Sequence, residues 1–164
     1  MKNKFGFILI KPQLGENIGA SARALKNFGF KHLSITDPRD GWPNIKAKAT
    51  SVEAFDILKK TKVLTNTKLA VKNFDLVFSF SARKRHVNKK HVSMVNFLKI
   101  LSLTKSKKIG LMFGPEASGL SNYDLSFSNY VVQIPSSPKF RSLNLSHSVS
   151  LVCYEIFKLN NYKL

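Results

Sequence analysis

The sequence has 164 residues, enough for one domain with a sizeable core and too few for a second domain of any size. Lysine and arginine number 27 against 9 aspartates and glutamates, a formal +18, so the surface carries a broad positive potential that suits a polyanion, most simply nucleic acid; a lysine-rich compositional bias is the plainer source of the same excess. Cys153 is the sole cysteine, which excludes an intrachain disulfide and a cysteine-built zinc cage, and His32, His86, His91 and His147 lack metal-ligand spacing, so no metal is expected.

Lys2 and Lys4 precede an apolar run, Phe5 to Ile10, that stops at Lys11-Pro12. It is too short for a signal segment or a membrane span, so no membrane partner is expected and a cytoplasmic location is. The run reads as a first buried strand with a loop after it. From Ile18 the positions Ile18, Ala22, Leu25 and Phe28 fit one helix face, Asn17 is placed to cap it, and Gly29 supplies the stop. Leu33 to Thr36 begins a second strand.

Asp37-Pro-Arg-Asp-Gly-Trp-Pro43 is turn chemistry around the only tryptophan. Arg39, Trp42, Lys46 and Lys48 on such a loop could offer a stacking ring between cations to an unpaired base; equally, Trp42 could plug the loop onto the body. Ala49 to Ala54 and Thr65 to Lys72 read as short helices, with Val63-Leu64 as a weak strand between them. Asp75 to Phe80 reads as a buried strand feeding Ser81-Ala-Arg-Lys-Arg-His86. There Arg83, Lys84 and Arg85, with Lys89 and Lys90, form the densest cationic run, a place for phosphate or a merely solvated loop. Val92 to Leu103 has helical spacing.

Ile109 to Phe113 is a short apolar strand halted by Gly114-Pro115, which blocks strand and helix alike and forces a sharp loop carrying Glu116, Ser118 and Gly119. Asn122 to Leu125 makes a helical turn and Tyr130 to Ile134 a strand. After the loop Pro135-Ser-Ser-Pro138, Ser142 is placed to cap a last helix whose stripe is Leu145, Val149, Val152, Ile156 and Leu159. No Gly-x-Gly-x-x-Gly or Walker signature is present, which disfavours dehydrogenase and NTPase readings.

Three of these stretches, in order and over almost the whole chain, resemble the signatures of the SPOUT-class ribose 2′-O-methyltransferases, the TrmH/TrmJ-like enzymes. They are Asn17-Ile-Gly-Ala-Ser-Ala-Arg23 with Asn27-Phe-Gly29, then Phe113-Gly-Pro-Glu-Ala-Ser-Gly-Leu-Ser121, then Ile134-Pro continuing to Ser142-Leu-Asn-Leu145. Asp37 to Pro43 and Phe80-Ser-Ala-Arg83 look like TrmJ-like loops in particular. The resemblance implies a single domain over residues 1–164, an α/β fold with a mostly parallel sheet flanked by helices and a deep C-terminal trefoil knot, and a homodimer. Chain-threading rules alone would give an ordinary doubly wound sheet. TrmJ-like relatives often carry a C-terminal extension that the 164 residues do not include.

By the same resemblance the activity is methyl transfer from S-adenosyl-L-methionine to an RNA ribose 2′-hydroxyl. The expected RNA is tRNA, in its anticodon loop, with nucleotide 32 as a candidate; rRNA, or a noncatalytic basic RNA-binding module, are the alternatives. Phe80, Ser81, Ala82, Gly114, Ile134, Ser142, Leu143 and Asn144 are expected to line the donor pocket. Arg23, Asn17, Glu116, Ser142 and Asn144 are the catalytic candidates, and Arg39, Trp42, Arg83, Lys84 and Arg85 the RNA contacts. Because a guanidinium hardly deprotonates at neutral pH, Arg23 acts either as a base or, with less chemical difficulty, as a holder of the alkoxide or phosphate. Glu116 is expected to orient Arg23 or the donor, against the plainer role of an acid at a helix N-terminus.

Overall fold

The strands alternate with helices along the chain and all lie in one sheet. The computed structural model describes residues 2–82 and 88–161. A short 3-10 turn, Lys2–Lys4, leads into β1 (Phe5–Ile10), α1 (Gly15–Asn27), β2 (Leu33–Thr36) and α2 (Ile45–Ser51). A 3-10 turn, Val52–Ala54, then α3 (Phe55–Lys59), β3 (Lys62–Leu64), α4 (Thr67–Val71) and β4 (Leu76–Phe80) complete the first half. The second half holds β5 (Lys90–Ser93), α5 (Met94–Leu103), β6 (Ile109–Phe113), α6 (Asn122–Ser126), β7 (Tyr130–Gln133) and α7 (Leu145–Asn161). The seven strands run in the order β3-β2-β1-β6-β4-β7-β5, and every neighbouring pair is parallel. All the strands' carboxyl ends therefore open on one edge.

The sheet is covered on both faces, which is why β1, β6 and most of β4 read as unbroken apolar runs rather than alternating ones. Phe5, Phe7, Leu9, Phe78, Phe80, Leu111 and Phe113 point to the larger core, closed by α1, α5 and α7. Ile8, Ile10, Val77, Met112 and Val131 point to a smaller one with Ala70, Val71, Leu120 and Leu125 from the α4 and α6 side. Phe7, Phe113 and Phe80 stack across three neighbouring strands, with centroids 6.3 and 4.8 Å apart, and so bring the carboxyl ends of β1, β6 and β4 into register. Among the described residues no helix is long and apolar enough to cross a membrane.

Four local expectations change. The helix expected from Val92 starts at Met94, because Lys90–Ser93 pairs with β7 as the far edge strand; a polar edge strand has no alternation to announce it. Ser93 then caps α5, accepting from the Asn96 N–H at 3.2 Å. Asn17 does not cap α1, which begins two residues earlier with Leu14 at the N-cap and no side-chain cap, since Asn17 is bonded elsewhere. The last helix is capped by Asn144 and not by Ser142: the Asn144 Oδ1 accepts from the backbone N–H groups of Ser146 at 2.9 Å and His147 at 3.3 Å. The helix expected over Ala49 to Ala54 begins earlier, at Ile45, because the Asn44 side chain accepts from the Lys46 and Ala47 N–H groups.

Candidate active site

The loops after β1 and β6 meet at the point where the chain order of the sheet reverses, the usual place for a ligand crevice in open parallel sheets. Gly114 allows the turn. A Cβ there would lie 2.3 Å from the Leu120 backbone nitrogen and 2.5 Å from the Gly119 carbonyl carbon, so no side chain fits without moving the loop. Gly119, at φ +67°, makes the return in the left-handed region.

This turn aims Glu116 at the β1–α1 loop. One of its carboxylate oxygens accepts from the Gln13 N–H at 2.8 Å; the other accepts from the Leu14 N–H at 3.1 Å and the Asn17 Nδ2 at 2.8 Å. Gln13 answers in the other direction, its Oε1 accepting from the Ala117 N–H at 2.9 Å. Asn17 is 6% exposed, and its Oδ1 accepts from the Asn144 Nδ2 at 3.0 Å. Asn144 in turn caps α7. A carboxylate and two amides thus tie three segments, separated by 99 and 127 residues in sequence, into one chain of hydrogen bonds. Hydrogen bonds to an ionised group in a half-buried setting are the stronger kind.

Beside this network lies a cavity of about 420 Å³, lined at the carboxyl ends of β4, β6 and β7 by Phe80, Ser81, Ala82, Gly114, Ile134, Ser142 and Leu143. Those are seven of the eight residues expected around a donor. The eighth, Asn144, does not line it; its side chain is committed to the Asn17 bond and the α7 cap. Sequence reasoning missed Phe113, Pro115, Ala117, Gly119, Arg141, Leu145 and Ser148 as further lining residues. Arg141 had the clearest signal, a cation one residue from a motif. Apolar walls and several hydroxyls in a space of this size suit a small molecule with a heteroaromatic group.

The remaining candidates fall elsewhere. Arg23 does not line the cavity. It sits six residues beyond Asn17, which on a helix is about 9 Å further along the axis and roughly 240° around it. It is exposed, and among the described residues no hydrogen bond or ion pair engages its guanidinium. Of the two roles expected of Glu116, the bonds of its carboxylate go to Gln13, Leu14 and Asn17 and not to Arg23, while Glu116 itself lines the cavity where a donor would sit. Ser142 is exposed at the cavity wall.

Arg39 is exposed and paired with Asp40 at 2.8 Å, and that guanidinium holds the Asp40 carboxyl below the usual range. Trp42 is half-buried and packs against the larger core, which is the plug arrangement. Arg83, Lys84 and Arg85 lie outside the described residues. Among the described residues no cluster of histidine, cysteine, aspartate and glutamate could hold a metal ion.

Residues 4–154 match the SpoU rRNA Methylase family. The tRNA (cytidine-2′-O-)-methyltransferase TrmJ of Methanocaldococcus jannaschii is 34% identical over 152 residues, 92% of this chain and 66% of that protein. The tRNA (cytidine/uridine/adenosine-2′-O-)-methyltransferase TrmJ of Pseudomonas aeruginosa is 31% identical over 158 residues, 95% of this chain and 61% of that protein. The chain thus spans just under two-thirds of the length of these relatives. The crystal structure of TrmJ from Z. mobilis ZM4 matches with a TM-score of 0.89 and 36% identity, over 97% of this chain and 71% of that one.

Proposed function

The chain belongs to the SpoU rRNA methylase family, and from that membership we propose that it transfers a methyl group from S-adenosyl-L-methionine to a ribose 2′-hydroxyl of RNA in the cytoplasm. tRNA is the favoured substrate, on the strength of the tRNA enzymes it is similar to. The observation that carries the reading is the chain of hydrogen bonds from Glu116 through Asn17 to Asn144, which holds all three signature segments at the rim of one cavity. A deep C-terminal trefoil knot is implied by this fold and is part of the reading.

In this reading the donor occupies the 420 Å³ cavity. Phe80, Phe113, Ile134 and Leu143 supply apolar walls for its adenine, and the loop after Phe80 and the segment at Ser142 supply polar groups. The bound donor contributes a sulfonium methyl, an electrophile that needs no metal. The residues of the chain must hold the ribose and manage its proton. A ribose hydroxyl attacks as its proton passes to solvent water, and charge develops on its oxygen as it does so. A guanidinium aimed at that oxygen stabilises the charge without having to deprotonate.

Arg23 does not line the cavity of its own chain, so the reading includes a homodimer in which Arg23 of the partner subunit reaches the site. Support comes from α7, beside α1, where Leu151 and Tyr154 are large apolar side chains left 41% and 47% exposed, a face suited to a second copy. Asn17 and Glu116 then act as positioning residues, holding the loops that shape the site.

Incubation with labelled donor and unmodified tRNA or rRNA, followed by nucleoside mapping, tests the proposal. Label in a 2′-O-methylated nucleoside of tRNA is the expected result. Label only in rRNA would move the substrate to the ribosome, and label in neither would leave a noncatalytic RNA-binding module.

A further inference from the structure

We propose that a second cavity, on the other side of the 115–119 loop, receives a base of the RNA next to the methylated ribose; this rests on the function proposed above. The cavity is about 330 Å³ and lies at the carboxyl ends of β1 and β2, with Lys11, Asp37, Thr65, Asn66 and Tyr123 among its walls. Pro115 and Gly119 line both cavities, so the two are separated by a single loop. A nucleotide whose ribose faces the first would bring its neighbour's base within reach of the second.

The two strand ends that form it are built unusually. Lys11 and Asp37 both sit in the left-handed region, at φ +46° and +37°, where non-glycine residues are uncommon and costly. They are held there by backbone bonds across adjacent strands, Lys11 N–H to Thr36 C=O at 3.0 Å and Asp37 N–H to Leu64 C=O at 3.3 Å. Neither side chain takes part in an ion pair among the described residues.

The floor, in contrast, is closed and rigid. Asp124 is 8% exposed, and its carboxylate accepts from the Thr67 hydroxyl at 2.6 Å, the Ser121 hydroxyl at 2.6 Å and the Ser121 N–H at 2.9 Å. The Asn66 Oδ1 is taken by the Leu69 N–H at 2.9 Å as the cap of α4, and its Nδ2 leans on the Thr65 hydroxyl at 3.4 Å, so the polar side chains among the walls that are left to meet a ligand are chiefly those of Lys11 and Asp37, with the Thr65 hydroxyl beside them. Donors and acceptors side by side match the edge of a nucleobase, which carries both. A bare phosphate would meet the Asp37 carboxylate. At the rim, the Tyr123 ring is 59% exposed and fixed edge-on against Phe127 with centroids 5.1 Å apart, leaving an aromatic face on which a base can stack.

The cavity then sets which nucleotide flanks the modified one, without touching the chemistry. Tyr123→Ala and Lys11→Asn remove the stacking face and the cation at exposed positions, and asparagine tolerates the left-handed backbone. Each is expected to raise KM for the RNA roughly tenfold, to leave kcat at saturating RNA and donor affinity within about twofold, and to relax discrimination at the flanking nucleotide. Unchanged KM and unchanged discrimination in both variants would overturn the inference.

If the wild-type chain methylates no RNA, the proposed function fails and a titration of the full chain decides the cavity instead. Amide resonances are followed on adding the four ribonucleoside 5′-monophosphates separately, with inorganic phosphate as control. Shifts at Lys11, Thr65, Asn66 and Tyr123 with a nucleotide and not with phosphate support a base site. Equal shifts with phosphate, or none, rule it out.

Discussion

Asn17 and Arg23 stand on the same helix, yet Asn17 is 6% exposed with both ends of its amide bonded, while Arg23 is exposed with no side-chain partner among the described residues. The first is spent on architecture within its own chain. The second has a charge that no other described residue engages, which is what the proposed role toward the RNA requires of it. On the proposed function the work divides along that line, with the polar groups that tie the loops together already satisfied and the guanidinium proposed to meet charge in the reaction still open.

The largest effect that follows falls on Arg23. Replacement by alanine removes a surface side chain, so stability should stay within about 0.5 kcal/mol and donor affinity should be unchanged, while methyl transfer drops by roughly 10²-fold or more. Calorimetric donor titration beside a transfer assay checks both halves. A variant retaining the wild-type rate would erase the contrast with Asn17.

Asn17→Ala should do the reverse. It leaves the Asn144 Nδ2 without its partner and one Glu116 oxygen with the Leu14 N–H alone, a loss on the order of 1–3 kcal/mol, visible as a lower midpoint in urea and as weaker donor binding. Coupling sharpens this. Asn17→Ala and Asn144→Ala should be clearly non-additive in a double-mutant cycle, with about 0.5–3 kcal/mol of interaction energy, whereas Asn17→Ala and Arg23→Ala should add.

How much of this was legible in the sequence follows the same division. The buried strands Phe5–Ile10, Leu33–Thr36 and Ile109–Phe113 and the stripe of the last helix could be read from apolar runs and spacing, because burial dictates residue type locally. The cavity walls could be read from signature segments that resemble a known family. Asn17 and Asn144 could be read as site residues from the same resemblance, but the groups they bond could not, since those lie about a hundred residues away and no local pattern encodes a long-range hydrogen bond. Nor could the edge strand Lys90–Ser93, which is exposed and defined by its pairing with Tyr130–Gln133 alone. Lys11 and Asp37 were hidden for a related reason: nothing in their identity announces a left-handed backbone imposed by neighbouring strands.

Two smaller effects test whether buried groups outside the network are inert. The Ser79 hydroxyl is buried in β4 with no partner among the described residues, so Ser79→Ala should be neutral or slightly stabilising in thermal melts. Burial pushes the Cys153 thiol well above its ordinary pKa, which leaves it protonated at neutral pH. It should react with a thiol reagent only after denaturation.

The most direct test of a site completed by two chains is complementation between two inactive variants. Arg23→Ala keeps an intact cavity, and Leu143→Arg fills the cavity while keeping Arg23. Co-expressed and purified as a mixed oligomer through different tags, the pair should recover a substantial fraction of wild-type methyl transfer, because one of the two sites then has an open cavity and the partner's guanidinium. Transfer no higher than in either variant alone would contradict the account.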